Sequence, residues 1–275
     1  SVLDDIEKYC PDTIVILKST VTPDIIQSLT SDKKNIVYNP EFVRERTADE
    51  DFINSELIIF GGSLENCKKT AEMYKQFTKC KCKEYQFMPA DKASLLKYSV
   101  NSFLATKVLF FNEIYKLFEA LDLNMSWEEF ITILQIDPRI GKSHMQVPGP
   151  DGKYGFGGAC FPKDTTALAR IGQDNGVPMQ ITETVIKVNE QTKKRMFDKI
   201  LAICDGTLSG KTVTILGVTF KPNTDDMRDA PALTILPALI SAGAKLLVVD
   251  PQGKREGEAL LPGVDWVEDA YTAAC

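Results

Sequence analysis

The sequence predicts an α/β chain: part of a sheet domain first, then a central helical domain with one long helix, then the start of a second sheet domain. Three observations predict this. Short apolar, β-branched runs alternate with helical patterns over the first ninety or so residues. Residues 91–123 contain neither glycine nor proline. A strand–helix–strand pattern returns after residue 210.

Taken in order, "TIVILKST" (13–20), "NIVYNPEF" (35–42) and "SELIIFGG" (55–62) read as strands, with helices at Asp24–Leu29 and Glu65–Thr78. Alternation of this kind predicts a parallel sheet, whose functional groups gather at the carboxyl ends of the strands. Those ends carry Lys18, Ser19 and Thr20, then Asn39, Pro40 and Glu41. The stretch 91–123 repeats apolar residues at threes and fours, including Leu96, Val100, Phe103, Leu104, Val108, Phe111 and Ile114. A helix apolar on more than one face needs partners on more than one side, so it predicts both an interdomain core and a homodimer interface. Ser126 with Glu129 fits a capping box for the next helix. Helices follow at about 163–174 and 179–202. "KTVTILGVTF" (211–220), 230–243 with an internal Pro237, and "AKLLVVD" (244–250) read as strand, helix and strand, with a further short strand at 265–267.

Composition excludes several classes. The 275 residues are 44% hydrophobic and 25% charged with a formal net charge of −6, so no domain-wide basic surface is available for nucleic acid. No apolar run approaches the ~18 residues of a membrane span, and no signal peptide opens the chain. The seven cysteines are odd in number and scattered, which points to a reducing, cytoplasmic setting rather than a disulfide framework. Cys80 and Cys82 form a C-x-C with no second ligand cluster, so no metal site is expected. The single histidine, His144, reads as an exposed loop residue, which leaves acid–base work to carboxylates, lysine and water.

The chemistry concentrates around "GFGGACFPKDTTALAR" (155–170). Pro162 suits the first residue of a helix, which puts Cys160 at the helix entrance. Free N–H groups and the positive helix end there favour a thiolate and can cradle an oxyanion. Lys163 adds charge, and Gly155, Gly157 and Gly158 let a ligand approach the backbone. An incidental cysteine at a helix start reads equally from these residues. Lys97 and Asn101 stand one helical turn apart; they read either as a pair that holds a substrate oxygen or as a surface lysine beside an asparagine. Glu41 and Glu45 follow a strand end, and the charged loop 220–231 follows another, a natural place for ligand contacts.

In combination and order, "KSTV", "NPEFVRE", "LLKYSVNSFLATKVLFFNEI", "DPRIG", "GFGGACFPKDT" and "GVTFKPNTDDMRDAPAL" resemble the UDP-glucose/GDP-mannose dehydrogenase family, across residues 18–233. The resemblance implies two Rossmann-like sheet parts. Residues 1–88 would be the C-terminal half of an NAD-binding domain, 89–206 a central helical and dimerisation domain with the catalytic cysteine, and 207–275 part of a UDP-binding domain. It implies oxidation of the C6 alcohol of a nucleotide sugar to a carboxylate with two NAD+. Cys160 matches the nucleophile that forms a thiohemiacetal and then a thioester. Lys97 and Asn101 match the pair that stabilises the oxyanion, Asp164 and Thr20 match residues that hold a catalytic water, and Glu41 matches a carboxylate that assists thioester hydrolysis.

By the same resemblance Glu45, Lys163 and Arg228 match cofactor contacts. Phe42, Val43, Tyr154, Gly155, Phe156, Gly157, Phe220 and Lys221 match contacts to the nucleotide sugar. Arg139 matches an arginine that reaches the substrate of a neighbouring subunit. "DPRIG" and the cysteine segment look like the branch that takes UDP-glucose. GDP-mannose or UDP-N-acetylmannosamine, or a non-catalytic sugar-nucleotide-binding and dimerisation module, are the alternatives. The chain starts without methionine and lacks a G-x-G-x-x-G turn, so it reads as a piece of such an enzyme with little turnover alone; UDP-glucose-dependent NADH formation by it would overturn that reading.

Overall fold

The computed structural model describes every residue except Ser1, Lys34, Glu45, Arg46, Asp151, 221–223, Asp229 and Cys275. The chain divides into two compact units, residues 1–100 and 101–275.

Unit 1 runs α1 (Val2–Tyr9), β1 (Val15–Leu17), α2 (Pro23–Asp32), β2 (Ile36–Tyr38), α3 (Ala48–Ile53), β3 (Ile58–Gly62), α4 (Leu64–Phe77) and β4 (Tyr85–Met88), and contains the first turns of α5 (Ala90–Ala120). The sheet order is β1-β2-β3-β4. β1 pairs with β2 and β3 with β4 in parallel, but β2 and β3 are antiparallel, with Val37 opposite Gly62 and Tyr38 opposite Gly61. This corrects the expectation of a wholly parallel sheet. The connection 39–57 carries the six-residue α3 and delivers β3 from the opposite end of the sheet, where an antiparallel pair forms.

Burial follows strand alternation. Val37, Ile58 and Phe60 face Cys67, Ala71 and Tyr74 of α4. Tyr38 and Ile59 face Ile26 of α2 and Ala90 and Ala93 of α5. Each buried Val, Ile or Phe among them contributes about 1.5–3 kcal/mol by leaving water. Gly61 is required for the second contact, since a Cβ there would lie 2.8 Å from the Ala90 Cα. α3 and β4 escaped the sequence reading because they are short; α1 escaped it although Val2, Leu3, Ile6 and Tyr9 recur at threes and fours.

Unit 2 holds the rest of α5, then α6 (Trp127–Leu134), α7 (Phe161–Asp174), α8 (Gln180–Ile203), β5 (Thr212–Leu216), α9 (Ala232–Ser241), β6 (Lys245–Val249), α10 (Lys254–Leu260), β7 (Asp265–Trp266) and α11 (Ala270–Ala274). The expected capping box is present: the Ser126 hydroxyl accepts from the Glu129 N–H at 3.2 Å, and the Glu129 carboxylate accepts from the Ser126 N–H at 2.8 Å. Trp127 enters an aromatic cluster with Tyr115, Phe118 and Phe130. Ala105 and Leu109 of α5 pack with Phe156 and with Val185 of α8.

The second sheet, β5-β6-β7, is parallel throughout and packs on Leu236 and Leu239 of α9. β5 stops short of the expected Phe220 because Gly217, at φ +85°, turns the chain out of the strand. α9 runs through Pro237 rather than breaking there. No described helix is long and apolar enough to cross a membrane.

Candidate active site

α7 begins at Phe161, one residue before the expected Pro162, and Cys160 is its N-cap. Pro162 still lies in the first turn, where no N–H partner is lost. The Cys160 thiol is exposed. Phe161 turns inward onto Phe156, with ring centroids 5.9 Å apart, and onto His144, at 5.7 Å. His144 is therefore half-buried, at φ +63°, and not the freely exposed loop residue expected. The ring of Phe161 draws it in.

Asp164 lies one turn into α7 and is fully buried. Its carboxylate accepts from the Asn101 side-chain amide of α5 at 2.5 Å and pairs with the half-exposed Lys163 ammonium. A buried carboxylate needs such partners, because desolvation without them is costly. Asn101, Lys163 and Asp164 thus meet around the first turn of the helix that Cys160 caps.

The glycine loop ahead of Cys160 is anchored residue by residue. The Gly155 N–H donates to Asn112 Oδ1 of α5 at 3.0 Å. Asn189 of α8 makes a reciprocal pair with Phe156, accepting its N–H at 2.9 Å and donating to its carbonyl at 2.9 Å. Gly155 sits at φ +72°, and a Cβ there would lie 2.5 Å from Asn189 Oδ1. Gly158, at φ +79°, leaves room for the Phe220 ring, which a Cβ would meet at 2.9 Å. Lys153 lies 5.2 Å from the centroid of that ring and donates to the Phe220 carbonyl. Tyr154 stacks on the Arg195 guanidinium at 4.3 Å, and Arg195 pairs with Glu119 at 2.8 Å. Gly157 lies between these anchors, partly buried.

Arg139 is exposed and held by a two-point pair with its neighbour Asp137, at 2.9 and 2.6 Å. Arg228 is exposed and pairs similarly with Asp226. Glu45 and Lys221 lie outside the described residues.

Thr20, Glu41, Phe42, Val43 and Lys97 belong to unit 1. Thr20 is half-buried just beyond β1. Lys97 is buried, not a surface lysine: its ammonium donates to the Glu41 backbone carbonyl and lies 5.1 Å from the Phe42 ring centroid. The Glu41 carboxylate pairs with Lys18 at 2.7 Å. Lys18 also donates to Asn39 Oδ1 and to the Tyr74 hydroxyl, each at 3.1 Å. The Tyr74 hydroxyl donates to Asn39 Oδ1 at 2.6 Å, while the Asn39 amide donates to the Ile59 carbonyl at 2.8 Å. Burial alone would lower the Lys18 pKa, but the bonds to Glu41 and Tyr74 outweigh it and hold the ammonium above its ordinary value.

Two groups of residues escaped the sequence reading. Lys18 and Asn39 were visible at strand ends, but only folding brings Tyr74 between them. Asn112 and Asn189 carry a signal in hindsight: each is an amide inside an apolar helical period, where burial demands a partner. Among the described residues no cluster of histidine, cysteine or carboxylate groups could hold a metal.

A cleft at the carboxyl ends of β1 and β2 has apolar walls from Phe42, Val43, Phe52 and Leu57, with Lys18 and Glu41 beside them. Charge thus stands beside apolar walls, and the enclosed space is no more than water-sized. The sequence contributes no glycine-rich phosphate turn beside it.

Three domain comparisons cover most of the chain. Residues 1–78 match the NAD binding domain, 91–191 the central domain and 214–275 the UDP binding domain of the UDP-glucose/GDP-mannose dehydrogenase family. The chain is 37% identical over 273 residues to a UDP-glucose 6-dehydrogenase of Rhizobium meliloti, a match covering 95% of this chain and 61% of that one. It is 35% identical to UDP-glucose 6-dehydrogenase TuaD of Bacillus subtilis, over 94% of this chain and 56% of that one. It also matches the structure of a UDP-glucose dehydrogenase from Pyrobaculum islandicum with a TM-score of 0.76 at 33% identity, covering 94% of this chain and 60% of that one. The chain thus spans about three-fifths of the length of these relatives. With the cysteine segment, both helices that flank it and the sheets on either side accounted for, the chain belongs to the UDP-glucose/GDP-mannose dehydrogenase family.

Proposed function

We propose that this chain supplies the thiol chemistry of an NAD-dependent oxidation of UDP-glucose to UDP-glucuronate. The observation that carries this reading is the exposed Cys160 at the head of α7, one turn above the buried Asn101–Asp164 contact and behind an anchored glycine loop. The UDP-glucose branch is supported by relatives named for that activity.

In this reading the C6 alcohol first loses a proton and a hydride to become an aldehyde. The Cys160 sulfur then adds to C6, and the resulting oxygen charge is stabilised by Lys97 and the Asn101 amide. Loss of a second hydride from C6 converts the thiohemiacetal to a thioester. Two NAD+ molecules, bound in turn, would each accept one of these hydrides. Water held by Asp164 and Thr20 attacks the thioester carbon, Glu41 takes a proton from it, and the C–S bond breaks to release the carboxylate and the Cys160 thiol.

Lys163, Arg228 and Glu45 are proposed to contact the cofactor. Phe42, Val43, Tyr154, Gly155, Phe156, Gly157, Phe220 and Lys221 are proposed to contact the nucleotide sugar. The division of labour follows residues 1–88, 89–206 and 207–275, and the setting is the cytoplasm.

A homodimer through α5 completes the proposal. Phe103, Phe110 and Leu117 recur every seven residues on that helix and are 66%, 55% and 55% exposed. Apolar residues repeated at that spacing make a stripe that a second helix covers. Arg139, exposed and paired with Asp137, is then the side chain that reaches the partner's substrate.

The test is ligand protection of the Cys160 thiol. Alkylation is followed by mass spectrometry with UDP-glucose, GDP-mannose or UDP-N-acetylmannosamine present. Protection by UDP-glucose alone is the expected result. Protection by another nucleotide sugar reassigns the substrate, and protection by none in a folded sample overturns the site.

A further inference from the structure

We infer that Asn112 and Asn189 are positioning residues for Cys160, clamping the glycine loop from two helices so that the thiol is held over the start of α7. The inference rests on the reading of Cys160 as the nucleophile and adds two residues that reading does not include. Both asparagines are buried, at 3% and 2% exposure, and both spend their side chains on loop backbone. Asn189 meets the N–H and the carbonyl of Phe156 as a strand partner would. Asn112 takes the Gly155 N–H, and its own amide donates to the Val108 carbonyl at 2.8 Å, which fixes which way it points.

The clamp explains features of the loop that are otherwise unrelated. Gly155 must lack a side chain because Asn189 Oδ1 occupies the place of its Cβ. Thr192, one turn along α8, closes the same space, with its methyl 3.3 Å from that position. The Phe156 ring, held by its backbone, packs on Ala105, Leu109 and Val185, and Phe161 packs on Phe156. Anchoring therefore runs from the asparagines through Phe156 to Phe161, the residue next to Cys160. Between Phe156 and Cys160 the chain has only Gly157, Gly158 and Ala159, two of them glycines with little conformational preference of their own. Such a segment takes its geometry from what holds its ends. Thiol reactivity depends on that geometry, because the free N–H groups and positive dipole end of a helix act only within its first turn.

Exposure gives the test its direction. Cys160 is already exposed, so loosening the loop cannot raise its reactivity by opening access. Releasing the clamp should lower it instead, by letting the thiol leave the helix end. The experiment measures iodoacetamide alkylation of the whole chain by mass spectrometry, taking the exposed Cys10 of unit 1 as the internal reference. In the unaltered chain Cys160 should react about tenfold faster than Cys10. In Asn189→Ala, and in Asn112→Ala, the Cys160-to-Cys10 ratio should fall about fivefold or more. Hydrogen exchange at the Gly155 and Phe156 amides should accelerate in the same samples.

Gly155→Ala is the second route to the same result. It keeps both asparagines but puts a Cβ against Asn189 Oδ1, and it should lower the ratio as well; it also serves if an asparagine variant fails to fold. A folded variant with faster exchange at Gly155 and Phe156 but an unchanged ratio overturns the clamp and leaves the nucleophile standing. A Cys160 no faster than Cys10 in the unaltered chain overturns the nucleophile reading, and the clamp with it.

Discussion

The side-chain amide of Asn101 donates to the carboxylate of Asp164 across 63 positions of sequence, at 2.5 Å and fully out of water. The contact ties α5 to the first turn of α7. It also explains how a carboxylate can be buried beside a half-exposed lysine: the amide supplies a donor that solvent would otherwise provide.

Removing one partner of this contact should cost more than replacing it. Asp164→Ala leaves the Asn101 amide buried without an acceptor and should destabilise by about 1–3 kcal/mol, the usual cost of an orphaned donor. Asp164→Asn keeps an acceptor oxygen in place and should cost less. Urea unfolding of both variants, followed by the fluorescence of Trp127 and Trp266, both in the same unit, measures the difference. Equal losses would mean that the carboxylate's partners contribute nothing specific.

Acid should act on unit 1 through Asp51. The Arg44 guanidinium beside it holds this carboxyl well below the ordinary value of 3.8, against the opposing effect of burial, with the Arg44 N–H and the Thr47 hydroxyl adding further bonds. Because the folded value lies below the unfolded one, the stabilisation is present above pH 3.8 and is lost as pH falls through the folded value. Arg44 is mostly exposed, so the pair is screened and Asp51→Asn should cost only about 1 kcal/mol at neutral pH. That difference between variant and unaltered chain should shrink below pH 3. Denaturation followed by circular dichroism at both pH values checks it, and a pH-independent difference counts against this account.

The exposed stripe on α5 gives a prediction about assembly. Phe110→Glu places a charge among Phe103, Phe110 and Leu117, where a second helix would have to desolvate it. The side chain is exposed, so the fold should survive. Light scattering on a sizing column should show a dimer for the unaltered chain and a monomer for the variant. A monomer in both samples removes the dimer from the proposal.

Much of the fold is legible in the residues. The continuous apolar run Ile36, Val37 and Tyr38 marks a strand, Ser126 with Glu129 marks a cap, and the unbroken run from Asp91 marks the long helix. Each is a local signal read within a few residues. The reversal of β3 is not local. It depends on the path the chain takes between the strands, and no residue in β2 or β3 encodes it. α3 and β4 were missed for a related reason: "ADEDFI" and "YQFM" are too short for a period to show.

The site divides along the same line. The residues by themselves singled out Cys160, the glycines ahead of it and the Lys97–Asn101 pair, because helix starts, glycine runs and one-turn spacing are written in neighbouring residues; Asp164 entered only through the family resemblance. Sequence alone could not say that Lys97 would reach the Glu41 carbonyl, that Tyr74 would join Lys18 and Asn39, or that Asn112 and Asn189 would close on Gly155 and Phe156. Those are contacts between residues 33 to 56 positions apart. A buried amide or ammonium must find a partner, but chemistry leaves open which one. Only the packing of α5, α8 and the sheets, by deciding which polar groups lose water together, settles the choice.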